Sequence, residues 1–167
     1  MKGNEKMKKI ITNIAKTASV IGVVGGTCYL NKKSCKKVKR ERDKLFMYYQ
    51  LLGRWIQNNQ EKVSIMEYFK ENDIKKIAIY GAGQLGQLLY DELKDTEVEI
   101  KYFIDQQAEN LNMYCDEKVV TIKEVPQQET VDAIIVTAYY FFDDILKELD
   151  KSGVDIDIIS LEDIIYA

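Results

Sequence analysis

Histidine is missing from this sequence, and proline occurs once, as Pro126. Without an imidazole, every His-dependent triad or general-base scheme is excluded. Cysteine is scarce: Cys28, Cys35 and Cys115, of which no two make a C-x-x-C pair. That removes the usual zinc ligand sets, so no metal site is expected. An odd cysteine count outside a secreted setting fits a reducing compartment. The single proline argues against a long disordered linker, and no internal repeat or low-complexity tract interrupts the chain.

What is present is room for one domain with an appendage: 167 residues, 46% hydrophobic and 31% charged. The net charge is only −3, but it is unevenly spread. Met1 to Lys44 is strongly basic, and the chain is acidic from Glu61 onward. A basic start on an acidic body points to a polyanionic neighbour for the start alone, nucleic acid or an anionic membrane surface.

Ile10 to Leu30 reads IITNIAKTASVIGVVGGTCYL, long enough to cross a hydrocarbon core at about 1.5 Å rise per residue. Lys16 interrupts it and has to snorkel to the nearer interface. Gly22, Gly25 and Gly26 weaken a soluble helix but are tolerated in a membrane one. The basic run from Lys32 to Lys44 outweighs Lys2, Lys6, Lys8 and Lys9, so the following body is expected in the cytoplasm. No A-x-A-like cleavage site follows the apolar run. A helix lying in the membrane plane is the alternative. The basic run reads as the flank of a membrane helix, and no nucleic-acid partner is expected.

Beyond it, Lys32 to Asn59 reads as a long helix with Leu45, Phe46, Tyr48, Tyr49, Leu51, Leu52, Trp55 and Ile56 on its apolar stripe. A short helix follows over Ser64–Glu71, with Ser64 and Glu67 as a capping box. Strands are expected at Lys76–Tyr80, Glu99–Ile104, Lys118–Ile122, Val131–Ala138 and Asp155–Ser160. Helices are expected over Gln84–Lys94 and Phe141–Lys151, with Gly153 as a stop. Alternation of strand and helix implies an α/β fold with a parallel sheet. The expectation is a Rossmann-like three-layer sheet of about five strands in the order 3-2-1-4-5. The domains expected are a membrane segment over 1–31, a helical connector over 32–72 and the nucleotide-binding domain over 73–167.

Gly81-Ala82-Gly83-Gln84-Leu85-Gly86 fits G-x-G-x-x-G directly after a strand and opening a helix. Gly81 permits the tight turn, Gly83 lets backbone approach a pyrophosphate, and Gly86 lets the helix pack on the strand. The helix N-terminus offers N–H groups and a positive dipole end to phosphate. Asp105 ends the second strand, 19 residues after Gly86, where an acid takes ribose hydroxyls and disfavours a 2′-phosphate. The bland alternative for Asp105 is turn chemistry before Gln106-Gln107. Thr137 and Tyr139, at the end of the fourth strand, are candidates to line the ligand pocket. Asp143 and Asp144 favour the dipole of the next helix. NAD or a nucleotide-sugar is the expected ligand, although adenosylmethionine or coenzyme A suits the same loop.

The stretches YFKENDIKKIAIYGAGQLGQLLYDEL, IKYFID, VDAIIVTAYYFFDDI and IISLEDIIY together resemble the nucleoside-diphosphate-sugar epimerase or dehydratase-like Rossmann domains of bacterial cell-surface polysaccharide gene clusters. They are also similar to the N-terminal nucleotide-sugar-binding domain of bacterial sugar acyltransferases. The resemblance covers about the last two-thirds of the chain. It implies nucleotide-sugar binding at Gly81, Gly83, Gly86 and Asp105, and a partner such as a glycosyltransferase, another biosynthetic protein or a second copy. Epimerases of this kind carry Tyr-x-x-x-Lys after the fourth strand; here Asp143 and Asp144 stand four residues after Tyr139 and Tyr140. The expectation is therefore a binding module. An NAD-dependent oxidoreductase completed by a second subunit, or an NAD sensor, is the alternative.

Overall fold

In a computed structural model the structure describes residues 34–111 and 113–167. The expected membrane segment, Ile10 to Leu30, lies outside them. Among the described residues no helix is long and apolar enough to cross a membrane. The chain divides into two compact units, one ending at Met47 and one running from Tyr48 to Ala167. In the first, residues 34–47 are helical and mostly exposed, including Leu45 and Phe46.

The second unit opens with α1 (residues 48–61) and α2 (Met66–Glu71). On α1 the buried residues are Leu51, Trp55 and Asn58, while Tyr49 and Ile56 are exposed, so the buried stripe is narrower than the apolar composition suggests. The Trp55 ring N–H donates to Glu92 at 2.6 Å, and the Asn58 amide donates to the Ile165 carbonyl at 2.7 Å. The expected capping box on α2 does not form. The helix begins two residues later than expected, and the Ser64 hydroxyl accepts from the Met66 amide instead.

The sheet has six strands: β1 (Lys76–Tyr80), β2 (Glu99–Ile104), β3 (Met113–Tyr114), β4 (Glu117–Val120), β5 (Ala133–Val136) and β6 (Asp157–Ser160). Their order is β3-β4-β2-β1-β5-β6, so the expected five strands in the order 3-2-1-4-5 do not hold as written. The difference is β3, which pairs antiparallel with β4 and adds an edge; the other pairings are parallel. Helices α3 (Gln84–Leu93) and α5 (Phe142–Lys151) join parallel strands, as crossovers must. The short α4 (Ala108–Leu111) and the closing α6 (Leu161–Tyr166) complete the unit. A capping box forms at Thr121 and Glu124, opening a 3-10 turn over Ile122–Gln127, so the strand expected to reach Ile122 stops at Val120.

Side chains of β1, β5 and the second half of β2 are buried on both faces, as their apolar runs require. One face, with Ala78, Tyr80, Ile104 and Val136, packs with Ile145 and Leu149 of α5. The alternate residues Ile77, Ile79, Phe103 and Ile135 are fully buried, and Phe103 meets Tyr90 of α3 at 6.1 Å between ring centroids. The far end of the sheet is tied by Asp132, whose carboxylate accepts from the Lys75 and Lys76 amides, both at 2.8 Å.

Those two backbone bonds hold the Asp132 carboxyl below its ordinary value, the amide of Lys76 contributing most. A depressed native pKa means stability that is present above the unfolded value and is lost as pH falls through the native one. Urea unfolding of Asp132→Ala against the parent should show a deficit near pH 7, on the order of 1 kcal/mol or less because the group is exposed. The deficit should shrink near pH 3. A deficit independent of pH would show that the carboxylate charge plays no part.

Candidate functional site

Between β1 and α3 the chain turns through Gly81 with φ +111, a conformation that L side chains rarely adopt. A Cβ there would stand 2.6 Å from the Thr137 hydroxyl oxygen. Thr137, buried at the end of β5, donates that hydroxyl to the Tyr80 carbonyl at 2.9 Å, and its amide bonds the same carbonyl at 3.0 Å. On the other side the Gly81 amide donates to the Ile104 carbonyl of β2 at 2.8 Å. The Asp105 carboxylate then takes the Ala82 amide at 2.9 Å and the Gln107 amide at 2.8 Å. The turn is thus tied to both neighbouring strands.

Past Ala82 the backbone is open. Gly83 is exposed, and a Cβ added to it would find nothing within 4 Å. Among the described residues, the amides of Gly83, Gln84, Leu85 and Gly86 have no protein acceptor. These are the orphan donors of a helix N-terminus, at the positive end of the α3 dipole. Gly86 serves packing: a Cβ there would lie 2.2 Å from the Gly81 carbonyl oxygen. The Tyr114 hydroxyl, from β3, donates to the Gly83 carbonyl at 3.1 Å and leaves the amides free.

Beside the turn lies a crevice of about 380 Å³ at the carboxyl ends of β1, β2 and β5. That is the size of a small-molecule site. It sits where the chain, having left β1 for β2, later returns to the other side of β1, the switch point at which open α/β sheets bind ligands. Tyr80 and Gly81 line it with Asp105, Gln106 and Gln107 after β2. Ala138, Phe141 and the α5 residues Asp144, Ile145 and Glu148 form the facing wall. Among the described residues, the charged groups that line the crevice are Asp105, Asp144 and Glu148, with no lysine or arginine beside them. Burial, then the charges of Glu148 and Asp105, push the Tyr80 hydroxyl up to about 12, and nearby Gln106 offsets part of this. Tyr80 is therefore neutral at physiological pH.

The structure brings Gly81 and Asp105 together in the crevice, with Ala82, Gly83 and Gln84 along the adjoining turn and Leu85 and Gly86 buried beneath. Asp105 makes the turn bond before Gln107 and the bond to the glycine turn, each with a different oxygen. Thr137 braces the turn and does not line the crevice. Tyr139 points elsewhere: it is buried against Tyr48 of α1, with ring centroids 5.3 Å apart. The residues that sequence reasoning missed are Tyr80, Gln106, Phe141 and Glu148. Asp144 was read only as a dipole partner. The i, i+4 spacing of Asp144 and Glu148 was the available signal that both face one way.

A family model described as C2185-like, N-terminal, matches residues 73–160, which is more than half of the chain and includes the turn and the crevice. No curated protein matches the chain.

The two glycines of the turn should separate on substitution. Gly86→Ala drives a methyl into the Gly81 carbonyl and should lower stability by about 1–3 kcal/mol in urea unfolding. Gly83→Ala enters open space and should cost about 1 kcal/mol or less. Equal losses at both positions would refute this division between packing and access.

Proposed function

The chain belongs to the C2185-like, N-terminal family, and we propose that it is a Rossmann-like nucleotide-binding module, its ligand an NAD-type dinucleotide or a nucleotide-sugar. The observation that carries this reading is the run of free amides from Gly83 to Gly86 at the start of α3, opening beside a crevice at the switch point of the sheet. Unpaired amides at a helix N-terminus are a ready anion site, so a phosphate is placed over Gly83. The sugar and base then fall to the crevice. Asp105 keeps lone pairs beyond the two bonds it makes, because a carboxylate accepts about four in all, and these are available to ribose hydroxyls.

Binding rather than turnover is the role proposed. Neutral Tyr80 is a poor proton acceptor at physiological pH, and the chain contributes no imidazole. The resemblance to nucleotide-sugar domains of cell-surface polysaccharide clusters supports work beside a glycosyltransferase or similar partner. The apolar run from Ile10 to Leu30, with its basic flank, supports a single membrane anchor with the α/β domain on the cytoplasmic side.

Purified full-length protein should be titrated with NAD and, separately, with UDP-glucose while thermal unfolding is followed. A ligand bound only by the native state adds about 2.7 kcal/mol at roughly a hundredfold excess over Kd. For a chain of this size that is roughly 5–10 °C in Tm. Gly83→Val should fold normally and lose the shift. No shift with either probe, or an undiminished shift in Gly83→Val, would overturn the proposal.

A further inference from the structure

Helix α1 packs on its own domain along one stripe, formed by Tyr48, Leu51, Trp55 and Asn58. A second apolar stripe is left open. Tyr49 and Ile56 on α1, and Val38, Leu45 and Phe46 in the helical residues before it, are each more than half exposed. They are five of the nine exposed large hydrophobic residues among the described residues, so open apolar surface is concentrated on this helical stretch. Each α1 member of the open stripe follows a residue of the packed one: Tyr49 after Tyr48, half-buried Leu52 after Leu51, Ile56 after Trp55. One step along a helix is a turn of about 100°, so α1 can hold its domain and a partner at once.

The spacing of the open stripe identifies the kind of partner. Val38, Arg42, Leu45, Tyr49, Leu52 and Ile56 follow one another at alternating steps of four and three. That is the 3.5-residue repeat of a coiled-coil seam, with Arg42, Tyr49 and Ile56 at a and Val38, Leu45 and Leu52 at d. Leucine at d with isoleucine at a suits two strands. The exposed side chains offer on the order of 600 Å² of largely apolar surface, and a pair of copies buries about twice that, the lower end for a specific interface. Arg42 is the one charge on the seam, and its guanidinium bonds the Asp43 carboxylate of its own chain. Two copies therefore do not bring bare charges together there. A single polar residue at a costs stability but fixes the register.

We propose that this stripe is the seam of a parallel, in-register coiled coil between two copies of the chain. A second copy fits because each stripe then meets its own repeat, Leu45 against Leu45 and Leu52 against Leu52. The parallel direction rests on the membrane anchor proposed above, since two chains rooted in one membrane leave it side by side. Cys35, exposed and one step of three before Val38, occupies the preceding a position and faces its counterpart across the pair.

Sedimentation equilibrium of the full-length chain in a density-matched mild detergent should give the mass of a dimer. Leu45→Glu with Ile56→Glu places charge on the seam and should halve that mass, with the near-ultraviolet circular dichroism of the α/β domain unchanged. Gln50→Glu with Gln57→Glu adds the same charge to the same stretch off the seam and should leave the dimer intact. With Cys28 and Cys115 replaced by serine, mild oxidation should join the two Cys35 thiols in a covalent dimer that the seam glutamates abolish. A monomeric parent chain, or a dimer that survives the seam glutamates, would overturn the proposal. A dimer that those glutamates dissociate but whose Cys35 thiols do not join would overturn the parallel register. Carbonate extraction of membranes reads the anchor separately: a chain that is released yet still dimeric would overturn the anchor and leave the seam standing.

Discussion

The whole site hangs on one carbonyl, that of Tyr80 at the last residue of β1. It accepts both the amide and the hydroxyl of Thr137 from β5. The next residue, Gly81, donates to Ile104 of β2. Those bonds carry the parallel ladders to their ends on both sides of the central strand, so the turn begins from a fixed point. Because its first residue has φ +111 against the Thr137 hydroxyl, glycine is required there by conformation and by space together. Everything downstream inherits that placement: the direction of α3, the exposure of Gly83 and the floor of the crevice.

Asp105 ties two segments of the chain with one group. One oxygen closes the local turn to Gln107, and the other reaches across to the Ala82 amide. In doing so it removes one donor from the glycine turn and leaves the donors further along for a ligand. Had the same carboxylate pointed outward only, the turn would have lost its tie to the loop after β2. The alternatives weighed from sequence, turn chemistry or ligand contact, are therefore not exclusive. The turn chemistry is made, and the remaining lone pairs are what a hydroxyl would meet.

Much of this was legible in the residues themselves. G-x-G-x-x-G between an apolar strand and a leucine-rich helix has a physical meaning at each glycine: Gly81 takes the tight turn and Gly86 the close packing expected of them, while Gly83 stands in open space. The hairpin that adds β3 was not legible. Its turn places Cys115 and Asp116 at positive φ, without the Asn-Gly or Asp-Gly pair that usually announces such a turn. Its first strand spans only Met113–Tyr114, too short for alternation to show. Tyr139 was misplaced for a related reason. A residue just past a strand can face the ligand or the helix above it, and only the packing of Tyr48 decides. Asp144 and Glu148 looked like ordinary helix surface, because nothing local says that this surface borders a crevice.

The charges then divide the site in a way that neither motif nor composition states. At the start of α3 there are free amides and a positive dipole end; a few residues back along the chain, the crevice beside Tyr80 is walled by carboxylates. A ligand negative throughout would be drawn to the first region and repelled by the second. A ligand positive throughout would meet the reverse. The arrangement suits a molecule that is anionic at one part and rich in hydrogen-bond donors at another, which is the chemistry of a nucleotide whose base and ribose bear amines and hydroxyls.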